Sequence, residues 1–231
     1  MRTPALDFVL AGGCRLRALV DDDAPELFAL VDANRAHLEP WMPWVPSHRD
    51  ARTSLEFIRS ARRQAADNDG LQLAIVGSDG RLCGVVGFHS VDWRRRTTSI
   101  GYWLAADHQG QGTMTSAVRA LVGHAFGAWG LKRVEIRAAT DNLRSRAIPE
   151  RLGFRREGVA QRAERVGNRY HDHVIYGMDD EEWERIEATR LARVALAVDG
   201  DGGNHQGHAD DLRRARQLGE HDDADDRRRR R

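Results

Sequence analysis

The residues with the clearest chemical meaning lie between a predicted strand and a predicted helix. Alternating apolar side chains at Ile100, Tyr102 and Leu104 predict a strand, and a glycine-bearing loop follows it. A helix follows the loop directly, because apolar residues recur at helical spacing from Met114 to Phe126. The unpaired N–H groups and the positive dipole end of that helix point at a loop with little side-chain bulk. This arrangement predicts a site for a phosphate or pyrophosphate group.

Two common kinds of phosphate loop do not fit these residues. A nucleotide P-loop needs a lysine and a hydroxyl residue after its last glycine, but Gly112 is followed by Thr113 and Met114. A dinucleotide fingerprint needs a third glycine, and Thr115 stands at that position. The loop resembles the pattern Gln/Arg-x-x-Gly-x-Gly/Ala of the GNAT acetyltransferases, which holds the pyrophosphate of acetyl-CoA, with Met114 where glycine or alanine is usual. The residues so assigned to acetyl-CoA are Gln109, Gly110, Gln111, Gly112, Thr113, Met114 and Thr115.

A second segment, further along the chain, strengthens this resemblance. Residues 141–158 are similar to the segment with Asn-x-x-Ser, Gly-Phe and Glu-Gly that ends the GNAT core, and they too follow a predicted strand. Residues 16–19, 38–44 and 170–176 are similar to one branch of the superfamily, the ribosomal-protein serine/alanine N-acetyltransferases. The resemblance spans roughly residues 14–186, which is most of the chain.

The resemblance to this branch implies roles for individual residues. The general base stands seven residues beyond the glutamate of the Glu-Gly pair, which gives Glu164. Ser145 falls on the serine that hydrogen-bonds the departing sulfur, and Asn142 shapes the turn and contacts the pantetheine arm. A backbone N–H near Trp103 or Leu104, at the splayed end of the strand, meets the oxyanion of the tetrahedral intermediate.

The two catalytic assignments each have a structural alternative. Glu164 lies between Arg162 and Arg165, so it could serve only as a charged strand residue that pairs with arginine. Ser145 could serve only as the N-cap of the short helix that begins there. The sequence leaves both alternatives open.

Three aromatic residues are candidates for binding the acceptor. Trp41 and Trp44 are large for an exposed loop, and they either line the acceptor pocket or pack over the first two helices. Tyr170 belongs to the last segment similar to the branch and is assigned to the substrate site. His171 and His173 share one face of the same strand, but no third ligand with convincing spacing accompanies them, so we expect no metal site.

The predicted elements follow the order βααβββαβαββ, which is the order of the GNAT fold. The fold class is therefore α/β of the α+β type, with a twisted, mostly antiparallel sheet of about seven strands flanked by about four helices. The predicted strands cover residues 14–19, 71–76, 82–91, 100–104, 134–139, 155–164 and 170–178. The predicted helices begin near Asp21 or Asp22, near Asp50, after Gly112 and at Ser145, with a loop at residues 37–46.

The resemblance, together with a change of composition after residue 186, divides the chain into three parts. These are an N-terminal lead at residues 1–13, the acetyltransferase domain at 14–186 and a charged C-terminal extension at 187–231. A helix that begins near Glu181 is expected to continue to about Val198. Beyond it, residues 200–207 hold four glycines, and residues 222–231 hold four aspartates and five arginines. We expect disorder there, because such a segment cannot bury enough apolar surface to offset its ordering entropy.

Composition also excludes several classes of protein. A formal net charge of +1 argues against a protein that coats nucleic acid. No apolar run approaches the ~20 residues of a membrane-spanning helix. Two cysteines, Cys14 and Cys83, form no disulfide framework, so a reducing cytoplasm is expected. A homodimer is left open.

The leading functional hypothesis is an N-acetyltransferase that transfers acetyl directly from acetyl-CoA to a primary amine, without a metal. The branch resemblance favours a protein N-terminal α-amine, such as that of a ribosomal protein. One alternative acceptor is a small amine, either an antibiotic or an aminoacyl nucleotide. A second alternative is a sensor that binds CoA without turnover.

Overall fold

The computed structural model describes residues 7–201 of the chain. The described residues contain eight strands: β1 (Phe8–Val9), β2 (Arg15–Ala18), β3 (Leu71–Val76), β4 (Leu82–Asp92), β5 (Thr97–Leu104), β6 (Arg133–Ala139), β7 (Arg155–Val166) and β8 (Arg169–Asp179). They contain six α-helices: α1 (Ala24–Ala33), α2 (Arg35–Leu38), α3 (Ala51–Ala66), α4 (Thr113–Gly127), α5 (Leu143–Arg151) and α6 (Asp180–Asp201). Of these residues, those up to Trp183 form one compact unit and those from Glu184 a second. The predicted disorder beyond residue 201 lies outside the described residues.

The predicted architecture is confirmed, with one strand and one helix more than the sequence indicated. The strands form one sheet in the order β1-β2-β3-β4-β5-β6-β8-β7, and all neighbours are antiparallel except β5 and β6. The extra strand is β1, which lies in the predicted lead and is too short to show an alternating pattern. The extra helix is α2, a single turn at the start of the predicted loop. Helix α6 corresponds to the helix predicted from near Glu181 to about Val198.

The parallel pair β5 and β6 separates halfway along its length. The two strands pair from Thr97 and Arg133 to Ile100 and Ile136, and no further pairs join them. Beyond this point β5 continues to Leu104 against β4 alone. The sheet is therefore split on the β6 side of β5, as the resemblance implies, and the split exposes backbone groups of β5.

Helices cover both faces of the sheet next to the split. Trp103 of β5 packs against the apolar cluster of α1 and α3, which includes Leu27 and Ile58. Its neighbour Tyr102 instead donates a hydrogen bond to α5, at the carbonyl oxygen of Ser145. Because successive residues of a strand point to opposite faces, α1 and α3 lie on one face of the sheet and α5 lies on the other.

Helix α4 follows the predicted apolar stripe closely. Met114, Leu121 and Val122 are buried, as are the three other stripe residues before Phe126. A fully buried side chain of this size contributes about 1.5–3 kcal/mol to folding. This packing fixes the direction of the helix and thereby the position of its N-terminus at the end of the split.

Helix α1 begins later than predicted. Residues 21–23 form a 3-10 turn, and the α-helix starts at Ala24 with Pro25 in its first turn. The Asp23 carboxylate is already engaged by the Arg17 guanidinium at 2.7 Å and by the Val20 N–H at 2.8 Å. These two hydrogen bonds of Asp23 fix the chain where it enters α1, and the predicted cap by Asp21 or Asp22 is wrong.

Candidate active site

The loop before α4 has an open backbone surface at its two glycines. Gly110 and Gly112 adopt φ angles of 78° and 79°, a left-handed conformation that favours glycine. A Cβ added at either position would meet no protein atom within 4 Å, so the space in front of the loop is free of side chains. The N–H groups of the first turn of α4, which starts at Thr113, have no intrahelical acceptor. These features suit a pyrophosphate group.

The side chains of the loop point away from this surface or bind locally. Met114, which departs from the usual glycine or alanine, is 6% exposed and turns its bulk into the core. Gln111 donates to the carbonyl oxygen of Asp107 at 3.3 Å. The Thr115 hydroxyl accepts a hydrogen bond from Arg151 at 2.8 Å. The departure at Met114 therefore leaves the loop open.

Gln109 connects the loop to two neighbouring helices. Its amide nitrogen lies 2.6 Å from His37 Nε2 of α2 and donates to the Leu104 carbonyl oxygen at 3.3 Å. Its amide oxygen accepts from Arg144 of α5 at 2.9 Å. Sequence reasoning missed Arg144 and Arg151, although their spacing of seven residues places both on one face of a helix beside the loop. Both guanidinium groups bring positive charge to the phosphate side of the site.

The split end of β5 presents one of the two candidate oxyanion donors. The Ala105 N–H donates to the Cys83 carbonyl oxygen of β4 at 2.8 Å. Backbone N–H directions alternate along a strand, so the Leu104 N–H points away from β4 and the Trp103 N–H points towards it. The Leu104 carbonyl oxygen, which shares that direction, accepts from Gln109. Of the two predicted donors, the geometry favours Leu104.

Ser145 lies in the first turn of α5 but does not cap it. Asn142 is the N-cap, and its side-chain oxygen accepts from the Ser145 N–H at 3.1 Å. The interpretation of Ser145 as the cap is therefore wrong, and its hydroxyl is free for another role. Ser145 Oγ lies 3.4 Å from the phenol oxygen of Tyr102, which donates to the Ser145 carbonyl oxygen at 2.9 Å. Burial raises the pKa of Tyr102, so this phenol stays neutral.

Glu164 lies directly after an irregularity in β7. Register with β8 shifts between Ala160 and Glu164, and the bulged Arg162 donates its N–H to Asp172 at 2.7 Å. A bulge of this kind changes the direction of the side chains beside it. Within the described residues no arginine pairs with Glu164; its near neighbour is His173, with Nε2 at 3.6 Å from the carboxylate. Burial raises the pKa of Glu164, and the nearby His171 opposes that shift.

A cavity of about 860 Å³ brings six of the fifteen predicted site residues together. Its wall includes Trp41, Trp44, Trp103, Asn142, Ser145 and Glu164. The acetyl-CoA loop lies outside this wall and meets the cavity region through α5 and the end of β5. Tyr170 is not part of the wall either: it is half-exposed, with the Arg162 guanidinium 4.0 Å above its ring.

The two tryptophans stand in the cavity wall on a tethered loop. The ring centroid of Trp44 lies 6.1 Å from that of Trp103, and the ring centroid of Trp41 lies 5.7 Å from that of His171. The loop is held by His48, which is buried and hydrogen-bonded to Ser54 at 2.8 Å. Sequence reasoning missed the hydrogen bond between His48 and Ser54, because no local sequence pattern indicates that the two residues pair. The wall position favours the pocket-lining interpretation of both tryptophans.

The fold and this site define a class of protein. A split sheet, a helix N-terminus behind a glycine loop and a carboxylate in the adjoining cavity are the parts of an enzyme that transfers an acyl group from CoA. A model of the family described as "Acetyltransferase (GNAT) domain" matches residues 14–155, and the chain belongs to this family. It is an N-acetyltransferase that uses acetyl-CoA.

Known proteins resemble the chain over most of their length. The protein YdaF of Bacillus subtilis (strain 168) is 39% identical over 170 residues, which cover 73% of this chain and 92% of YdaF. The structure of the Microcin C7 self-immunity acetyltransferase MccE, in complex with acetyl-CoA and AMP, is 31% identical with a TM-score of 0.72 and covers 77% of this chain and 98% of MccE. The structure of RimL, a ribosomal L7/L12 α-N-protein acetyltransferase in complex with coenzyme A, is 25% identical with a TM-score of 0.73 and covers 77% and 99% of the two chains.

The described residues contain neither a metal-binding cluster nor a membrane-spanning helix. No group of three or more His, Cys, Asp or Glu residues in this part of the chain is arranged to hold a metal ion. None of the helices between residues 7 and 201 is both long and apolar enough to span a membrane.

Proposed function

We propose that the protein acetylates the α-amine of a protein N-terminus, and that Glu164 is the general base. The observation that carries this proposal is the position of Glu164. Its half-buried carboxylate lies in the wall of an open cavity that also contains Ser145 and the end of β5. An amine that enters the cavity meets a carboxylate on one side and the split of the sheet on the other.

The strength of the base fits an α-amine. An α-amine with a pKa of about 7.8 is roughly one-seventh deprotonated at pH 7, whereas a lysine with a pKa of about 10.4 is about 0.04% deprotonated. A single carboxylate whose pKa is raised by burial suffices for the first and is weak for the second. The chemistry therefore favours an N-terminal acceptor over a lysine.

The other side chains supply the remaining steps. Glu164 accepts the ammonium proton, and the amine lone pair attacks the thioester carbon. The Leu104 N–H stabilises the oxyanion that develops. Ser145 donates a hydrogen bond to the sulfur as the carbon–sulfur bond breaks, and Tyr102 Oη, 3.4 Å from Ser145 Oγ, holds the hydroxyl until then. Arg144 and Arg151 hold the phosphate groups beside the loop.

The relatives support this acceptor and also supply the second candidate. RimL is by its printed description an α-N-protein acetyltransferase of the ribosomal protein L7/L12. MccE was crystallised with acetyl-CoA and AMP, which points to a nucleotide-bearing acceptor in that protein. The tryptophans at positions 41 and 44 would also suit a planar small molecule.

An assay of free-thiol release from acetyl-CoA separates the candidates. The panel contains peptides with free serine or alanine N-termini, the same peptides with blocked N-termini, and small amines including aminoacyl nucleotides. We expect release with the free N-termini only. Release with the small amines alone would show that the acceptor is a small amine. Binding of acetyl-CoA without thiol release for any acceptor would show that the protein is a CoA-binding sensor.

A further inference from the structure

His173 stands beside Glu164 on the cavity wall without a function in the mechanism above. Its Nε2 atom lies 3.6 Å from Glu164 Oε2, slightly beyond hydrogen-bond distance. The side chain of His173 is 15% exposed and that of Glu164 is 38% exposed, so the pair is partly shielded from water. Both residues line the cavity in which the amine must lose its proton.

The residues paired with His173 on both neighbouring strands are small. His173 on β8 pairs with Ala139 on β6 and with Ala160 on β7, and paired residues share one face of the sheet. Neither alanine carries a side-chain atom beyond Cβ, so neither places a bulky or charged group beside the imidazole. The charged group that approaches the ring is the Glu164 carboxylate at 3.6 Å.

The proton balance of the reaction requires a route out of Glu164. An ammonium group that becomes an amide loses two protons, one of which ends on the CoA thiol. The other proton must reach solvent before the next turnover. Glu164 holds that proton after it has acted as a base, so the carboxylic acid must be deprotonated in every cycle.

We propose that His173 is a positioning residue that orients the Glu164 carboxylate and accepts its proton. The proposal rests on the proposed role of Glu164 as the base. The N–H bond of the ammonium breaks and an O–H bond forms at Glu164, with the electron pair left on nitrogen. The O–H bond then breaks, and Nε2 of the neutral His173 takes the proton. The Nε2–H bond of the imidazolium breaks in turn and water takes that proton, so Nε2 is free again for the next turnover.

The charges around the pair are consistent with this transfer. Burial lowers the pKa of His173 and raises that of Glu164, so the two values move towards each other. Arg137 on β6 and His171 on β8 lower the pKa of His173 further, and Asp172 opposes them. A lowered pKa leaves the His173 imidazole neutral and able to accept a proton, and a raised pKa lets Glu164 hold the proton that it passes on.

Two variants of His173 and one matched control test the proposal. His173→Gln and His173→Ala should each lower kcat by about 10-fold, below the 10²–10⁴-fold worth of the base itself, with acetyl-CoA affinity unchanged. Added imidazole should restore kcat of His173→Ala in a concentration-dependent way. The matched comparison is His171→Gln, because His171 pairs with Glu164 between β7 and β8 and lowers the pKa of its carboxyl. A loss of kcat in His171→Ala that imidazole restores, with His173→Ala active, would assign the proton transfer to His171 and overturn the role of His173.

A double-mutant comparison separates this proposal from the base assignment. In the Glu164→Gln background, His173→Gln should change kcat by less than about 2-fold, because the proton that His173 accepts is no longer formed. A full independent loss in that background, or a His173→Ala variant that binds acetyl-CoA but gains nothing from imidazole, would overturn the role of His173. If Glu164→Gln alone retains wild-type kcat, the proposed base fails instead, and this inference fails with it.

Discussion

The acetyl-CoA loop and the acceptor cavity lie on either side of the same split in the sheet, but they are built differently. The loop offers backbone N–H groups from consecutive residues, Gln109 to Thr115, at the start of one helix. The cavity wall takes its chemistry from side chains on separate segments, including Trp44, Ser145, Glu164 and His173. In the loop, the backbone N–H groups are the functional groups, and the side chains matter mainly because they are small or turned away. In the cavity, the proposed mechanism gives each side chain its own task.

The largest effect is expected in the cavity, from Glu164→Gln. The amide keeps the shape of the side chain but cannot accept a proton, so kcat should fall by about 10²–10⁴-fold with acetyl-CoA affinity unchanged. Activity should recover partly at high pH, because the amine then arrives deprotonated. Steady-state kinetics between about pH 6 and about pH 10, a range that lies on both sides of the α-amine pKa of about 7.8, would measure both effects.

Glu157→Gln is the matched control for this substitution. Glu157 accepts hydrogen bonds from Arg133 at 2.9 Å and from Arg155, away from the cavity wall. The Arg133 guanidinium holds the pKa of Glu157 below its ordinary value. The control should therefore lose stability and keep kcat. A selective loss of kcat in Glu157→Gln, with Glu164→Gln active, would assign the general base to Glu157 and contradict the role proposed for the cavity residue Glu164.

The next effect is expected in the loop, from Gly112→Asp. A carboxylate in front of the loop would occupy the approach to the N–H groups and repel the pyrophosphate, so acetyl-CoA affinity should fall by about 100-fold or more. Gly80→Asp provides the control, since Gly80 has a similar φ of 82° and equally free space around its Cβ position, but lies in the exposed turn between β3 and β4. Isothermal titration with acetyl-CoA compares the two. Equal affinities would remove the loop from the cofactor site.

A smaller effect is expected from Ser145→Ala. The departing thiol has a low pKa of about 8.5, so the loss of one hydrogen bond to sulfur should lower kcat by only about 10-fold. Tyr102→Phe should cost less, because Tyr102 touches the sulfur site only through Ser145. Single-turnover rates for both variants would rank them. A larger loss for Tyr102→Phe would make the phenol, and not the serine, the donor.

The smallest effect is expected from Gln111→Ala, and it sharpens the comparison most. Gln111 belongs to the loop, but within the part of the chain that the structure describes its side chain bonds only to the Asp107 carbonyl oxygen. Removing it leaves the backbone N–H groups in place, so acetyl-CoA affinity should change by less than about 3-fold. A loss comparable to that of Gly112→Asp would show that the loop also binds through side chains.

The loop side of the molecule was predictable because its signals are local. The periodicity that starts at Met114 predicts α4, and the glycines directly before it predict the anion site, so residues 109–115 needed no tertiary information. Only the direction of the Met114 side chain required the structure. The strand β1 and the single-turn helix α2 were missed because two and four residues carry no readable period.

In the cavity, the base could be predicted from the sequence only because the family resemblance gives its distance along the chain from another residue. Glu164 came from its distance to Glu157, whereas the pairs that surround the site join residues far apart in sequence. Tyr102 and Ser145 are 43 residues apart, and Trp44 meets the ring of Trp103 from a different segment of the chain. Tyr170 was assigned to the substrate site, but the bulge at Arg162 places a guanidinium over its ring and leaves it outside the cavity wall.

The most direct test is the position of the acetyl group on a single acceptor peptide. The peptide carries a free N-terminal serine and one internal lysine, and fragment-ion mass spectrometry locates the acetyl group after incubation with acetyl-CoA and the enzyme. The account predicts acetylation of the α-amine alone, with the product strongly reduced in Glu164→Gln. Acetylation of the lysine, or equal α-amine product from the wild type and Glu164→Gln, would contradict it.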